Sequence, residues 1–169
     1  MSARILQDNM SRAVKVNLTE EKETLLLTVY AKALDSRSRN PILNDKKADE
    51  LVNRIDYDFE KLIPKNSLGS GTIIPARAKQ LDEWVKEFLG DFPNAIVLNL
   101  GCGLDTRISR INPSPSVNWF DVDYPEVIEL RKTFFSDRDG YQMIESALTE
   151  SGWFEKLPGG RPTLVRLMS

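Results

Sequence analysis

The run Ala95-Ile-Val-Leu-Asn-Leu100, closed at once by Gly101-Cys102-Gly103, constrains this chain more than any other stretch. A continuous apolar run of that length suits a strand covered on both faces, the kind found inside a parallel sheet. Two glycines directly after it let the backbone turn sharply and let a ligand approach with no Cβ in the way. The rest of the second half keeps the same texture. Val117 to Val122 reads as a second strand, Pro125 and Glu126 open a helix through about Phe135, and Tyr141 to Ser146 reads as a third strand. Trp153 is expected on a short helix, and Pro162 to Leu167 as a fourth strand. Alternating strands and helices argue an α/β fold with a parallel sheet and right-handed crossovers.

The first half reads as helical. Asn17 and Glu20 stand at capping-box spacing, and Leu26, Leu27, Tyr30, Ala33 and Leu34 fall on one face, which predicts a helix over about 19 to 36. A second helix is expected after Asp45 with Ala48, Leu51 and Val52 inward, and an irregular connection over 56 to 74. A third begins at Pro75 and stops before Gly90, burying Ala78, Leu81, Val85 and Phe88. The domain reading is a helical cap segment over 1–94 and a sheet domain over 95–169.

Composition removes several classes of function. Lys and Arg total 23 against 25 Asp and Glu, a net charge of −2, so the basic footprint of nucleic-acid binding is missing. The 169 residues contain no His, which removes the commonest general base, the usual imidazole metal ligand and every His-containing triad. A single cysteine, Cys102, forbids an intrachain disulfide and a Cys-rich zinc site. The start, MSARILQDNMSRAVKVN, lacks a signal peptide's apolar stretch, and no later run is long enough to span a bilayer. A cytoplasmic protein without a metal, a nucleic-acid partner or a membrane span is the expectation.

What remains is a small-molecule site at the glycine turn. Asp121 and Asp123 end the next strand, about 20 residues beyond the glycines, where an acid can bond both hydroxyls of a ribose. A dinucleotide site wants a third glycine at the position occupied here by Thr106, and Asp105 before it would oppose a pyrophosphate. That disfavours a nicotinamide cofactor and favours a nucleoside cofactor without phosphate, such as S-adenosylmethionine.

The stretch Val97-Leu-Asn-Leu-Gly-Cys-Gly-Leu-Asp-Thr-Arg107, followed by Trp119-Phe-Asp-Val-Asp-Tyr-Pro-Glu-Val-Ile-Glu-Leu-Arg131, resembles the leucine carboxyl methyltransferase family, including its polyketide-related O-methyltransferase branch. Glu23 to Ala33 and Arg77 to Asp82 resemble that branch too, so the likeness covers about 20 to 165. It implies a Rossmann-like class I methyltransferase fold behind a helical N-terminal segment. It also implies methyl transfer from S-adenosylmethionine to a carboxylate or hydroxyl oxygen, on a small molecule or a protein carboxylate. Gly101 and Gly103 would lie beneath the methionine part of the cofactor and Asp123 on its ribose. Arg77 would meet the cofactor carboxylate, or stand as an exposed helix-start arginine. Asp105 would orient the loop or the cofactor amine, or cap the following helix. Tyr124 and Pro125 would edge the adenine pocket, or simply pack a helix start. Cys102 reads as a small residue fitting a crowded turn rather than a nucleophile.

Two departures from the family pattern stand out. An acid usually found near the adenine is missing after the third strand, so the adenine-amine contact passes to Ser146, Ala147 or Leu148, with Ser146 preferred. Resembling proteins also continue past the fourth strand, whereas this sequence reads Arg166-Leu-Met-Ser169 there, as a truncated product would. The sheet is therefore expected to be incomplete, its fourth strand an open edge prone to self-association, and the catalytic residues unassigned. The alternative function is an inactive remnant serving as a cofactor-binding or interaction module.

Overall fold

A computed structural model describes residues 14–15, 20–62, 70–150, 152–153, 155 and 157–167. They form two compact units divided after Arg77. In the first, β1 (Val14–Lys15) pairs in parallel with β2 (Ile55–Asp56), and α1 (Glu20–Arg37) packs on α2 (Lys46–Arg54). The connection between the helices is held from inside. Both oxygens of the Asp35 carboxylate accept backbone N–H groups, from Ile42 at 2.7 Å and from Leu43 and Asn44 at 2.9 Å. Asp45 then caps α2 by accepting the Ala48 N–H at 3.0 Å, and Ala48, Leu51 and Val52 are buried as their spacing predicts. On α1, Leu26 and Ala33 are buried while Leu27, Tyr30 and Leu34 are half-buried; Val29 and Ala31 are buried as well. Asn17, the expected cap of α1, lies outside the described residues.

The third helix corrects its expected limits at both ends. α3 spans Ser70–Asp91, so Pro75 sits inside it and Gly90 does not stop it. Proline costs an i→i−4 bond and crowds the carbonyl four residues back, here that of Gly71, where no Cβ adds to the crowding. Gly90 is exposed with open space around it, and the helix yields only where Phe92 precedes Pro93. Ala78 and Val85 are buried, but Leu81 and Phe88 are only half-buried, and the charged Asp82 shares the inner face.

The second unit is built on a parallel sheet in the order β5-β4-β3-β6, with β3 Ile96–Leu100, β4 Asn118–Asp123, β5 Tyr141–Glu145 and β6 Thr163–Leu167. The α/β, Rossmann-like expectation is met, with α4 (Arg107–Ile111) and α5 (Pro125–Lys132) in the crossovers. α5 ends three residues before the expected Phe135, because Thr133 and Phe134 turn back on Leu130 and Arg131 through tighter i→i−3 bonds. Every residue of β3 is buried, as the apolar run requires. One face carries Ile96, Leu98, Leu100, Phe120, Val122 and Ile144 in a single apolar cluster with Trp153. Trp153 sits in a bend rather than on the expected helix, and its 3% exposure explains its apolar neighbours. Before β5, Gly140 has φ +76° and a Cβ there would stand 2.6 Å from the Val117 carbonyl oxygen, so only glycine fits. Among the described residues β6 pairs with β3 alone, leaving Val165 56% and Leu167 67% exposed at the edge.

Candidate functional site

The chain leaves β3 in one direction for β4 and β5, then returns to the other side of β3 as β6. Ligands in open parallel sheets lie beyond the carboxyl ends of the strands, at such a reversal. The glycine turn stands there. Gly101 and Gly103 have φ +63° and +50°, left-handed values that strain a side chain, and the Gly101 and Cys102 N–H groups bond the Val122 carbonyl at 2.8 and 3.2 Å. The Cys102 thiol is fully buried, and burial pushes its pKa well up, which suits packing and not nucleophilic work.

The turn is joined to the end of β4 through Asp123. Its Oδ2 accepts the Gly103 N–H at 2.7 Å and its Oδ1 the Tyr124 N–H at 2.8 Å. Each oxygen keeps a lone pair for a further donor, which fits two neighbouring hydroxyls. Burial raises the carboxyl pKa above the ordinary aspartate value, and the two backbone bonds and Arg131 offset only part of that. Ser146 is drawn in by its N–H, 2.9 Å from the Asp123 carbonyl oxygen; its hydroxyl lies 3.1 Å from Ala147 O and 3.2 Å from Glu150 Oε2.

Asp121, the other acid of β4, is saturated. Its Oδ1 accepts Asn99 Nδ2 at 2.7 Å and Trp119 Nε1 at 3.0 Å, while Oδ2 accepts Tyr141 Oη at 2.7 Å and Arg131 Nη2. Its acceptor sites are taken, so of these two acids of β4 Asp123 is the one with lone pairs left for a ligand. Arg131 is wholly buried, and that opposes its charge, but Asp121 foremost, with smaller contributions from Cys102 and Tyr141, more than compensates and holds it above the ordinary arginine value. Burial first, and Asp121 second, raise Tyr141 as well.

Asp105 belongs to a second ionic cluster. Its Oδ2 stands 3.0 Å from Arg107 Nη1 and 3.2 Å from Arg166 Nη1, while Asp82 accepts Arg107 Nε and Arg110 Nε, both at 2.6 Å. The N-cap position of α4 is Thr106, so the capping alternative for Asp105 gives way to a carboxylate tied among guanidinium groups. Tyr124 is 57% exposed, its ring open at the rim beside Asp123. The structure thus gathers Gly101, Gly103, Asp105, Asp123 and Ser146 at the carboxyl ends of the strands. Arg77 is an exposed residue of α3 in the other unit, and its proposed role rests on the resemblance.

Sequence reasoning missed Arg131 and Asp82. Val127, Ile128 and Arg131 share the inward face of α5, so a cation at an apolar-spaced position was the available signal. Asp82 carried the same signal on α3.

The sequence profile of the family described as leucine carboxyl methyltransferase matches residues 25–157. The tetracenomycin polyketide synthesis O-methyltransferase TcmP of Streptomyces glaucescens is 45% identical over 150 residues, covering 89% of this chain and 55% of the relative. The S-adenosyl-L-methionine-dependent methyltransferase dpfgK of Gibberella zeae is 33% identical over 164 residues, with the same two coverages. The chain therefore spans about half the length of these curated relatives.

Proposed function

Because the chain belongs to the leucine carboxyl methyltransferase family, we propose that it binds S-adenosylmethionine at the glycine turn and serves methyl transfer to a carboxylate or hydroxyl oxygen. The observation that carries this reading is the Asp123 carboxylate, seated on two backbone N–H groups beside a left-handed glycine turn. When bound, the cofactor supplies a methyl group on a sulfonium, an electrophile that needs alignment and exclusion of water more than a strong base. Asp123 would hold the ribose hydroxyls. Gly101 and Gly103 would leave room for the methionine part, Tyr124 would flank the adenine and Ser146 would meet its amine. Asp105 would anchor the loop and Arg77 would take the carboxylate with a planar fork.

A carboxylate acceptor has no proton to lose, so the absence of His is compatible with this chemistry. The names of the relatives support a small-molecule acceptor; a protein carboxylate is the other acceptor that the family's description suggests. No helix among the described residues is long and apolar enough to cross a membrane. A cytoplasmic location fits that and the cysteine usage. Among the described residues β6 is paired on one side, and its other side is where self-association by strand pairing would occur. The proposed domains are a helical cap segment over 1–94 and a cofactor domain over 95–169. No observation favours the alternative of an inactive module.

Asp123→Ala is expected to weaken binding of S-adenosylhomocysteine by about tenfold or more, since hydrogen bonds to a charged group contribute roughly 1.5 to 3 kcal/mol. Equal affinity in both proteins by calorimetry would overturn the assignment. The pH dependence supplies a second signature. A carboxyl whose pKa is raised on folding contributes stability that is present below its unfolded pKa and lost as pH rises through the folded one. Ligand affinity needs the ionised form, so it should rise over the same window in which this group's contribution to apo stability falls. Asp123→Asn should flatten both slopes.

A further inference from the structure

We propose that Arg131 is a positioning residue for this site, gripping the glycine turn from below so that Gly103 can hold the Asp123 carboxylate; the ligand part of the proposal rests on the reading above. The wholly buried guanidinium donates from Nη1 to the carbonyl oxygens of Gly103 at 3.0 Å and Asp105 at 2.7 Å. Its Nη2 donates to Asp121, its Nε to Tyr141 Oη at 3.3 Å, and the Phe135 ring lies 4.2 Å from its central carbon. One planar group therefore ties the turn to β4 and β5 at once.

Gly103 is the point of transmission. Its carbonyl is held by Arg131 and its N–H by Asp123 Oδ2. Gly101 and Gly103 lack a Cβ that would lock their peptides, so an outside partner must do so, and a bond to a buried cation is stronger than a neutral one. The guanidinium fork spans Asp121 and both carbonyls. A lysine ammonium keeps the charge beside Asp121 but is a single point that cannot reproduce the fork.

The test combines amide hydrogen exchange in the free protein with calorimetry. In Arg131→Lys the Gly103 amide should exchange about tenfold faster or more, while the amides of Leu98 and Phe120 within the sheet change little. Affinity for S-adenosylhomocysteine should fall about tenfold, and Arg131→Lys added to Asp123→Asn should produce little further loss, because both act through one carboxylate. Additive losses, or uniform acceleration across the sheet, would assign Arg131 to folding alone and overturn the proposal. Unchanged protection at Gly103 would overturn it as well. Should Arg131→Lys fail to fold, Tyr141→Phe loosens the guanidinium without removing a charge, and a smaller acceleration confined to the turn is expected. Failure of the wild-type chain to bind S-adenosylhomocysteine would overturn the cofactor reading and the ligand part, while exchange at Gly103 still decides whether Arg131 holds the turn.

Discussion

Asp121→Ala should destabilise the second unit by about 3 to 5 kcal/mol in urea denaturation, the cost of leaving one partner of a buried ion pair uncompensated. The carboxylate is fully buried and accepts from Asn99, Trp119, Tyr141 and Arg131, so its removal strands a buried cation and three neutral donors together. That loss is large against the 5 to 15 kcal/mol typical of a whole domain. Asp121→Leu combined with Arg131→Met should recover much of it, since an apolar pair of similar volume often replaces a buried ion pair at little cost. Recovery should stay incomplete, because the carbonyls of Gly103 and Asp105 lose their donor and Asn99, Trp119 and Tyr141 still lack the Asp121 acceptor. A loss below about 1 kcal/mol for Asp121→Ala, the scale of an exposed ion pair, would refute this account.

Asp82→Ala should cost about 3 kcal/mol by the same measurement. Arg107 is 1% exposed, and its Nε and two Arg110 donors, Nε at 2.6 Å and Nη2 at 3.0 Å, converge on this one carboxylate. Without it, Asp105 must serve Arg107 and Arg110 as well as Arg166. The loss should vary little between low and high salt, because buried charges are weakly screened. A loss that disappears at high salt would mean that water reaches the cluster.

The parts of the fold that local chemistry dictates were legible. Ile96–Leu100 could only be a covered strand, and Asp45 marked the start of α2 because a short acceptor before Ala48 satisfies an orphan N–H. Pro75 misled because proline's preference for a first turn is a tendency, and one lost bond is tolerated when the rest of a long helix is well made. Phe135 fell outside α5 because the tightened last turn arises from backbone bonding that residue spacing does not encode. The site was half legible. That Gly101, Gly103, Asp121 and Asp123 close adjacent strands follows from the sequence, and the resemblance points to Asp123, but the bonds that occupy Asp121 come from Tyr141 and Arg131 and exist only in the folded sheet. Whether Asp105 orients the loop or caps α4 stayed open in the sequence because its guanidinium partners include Arg166, 61 residues along the chain.

Asp123 has a consequence for how tightly any partner can be held. A carboxylate already bonded by the Gly103 and Tyr124 N–H groups has no side-chain rotor left to freeze. The ordering entropy of such a side chain, about 0.5 to 1.5 kcal/mol when it is immobilised at an interface, is lost during folding and not on association. Whatever donor reaches Asp123 therefore meets a preorganised acceptor, and the entropic penalty that remains on association is the partner's own.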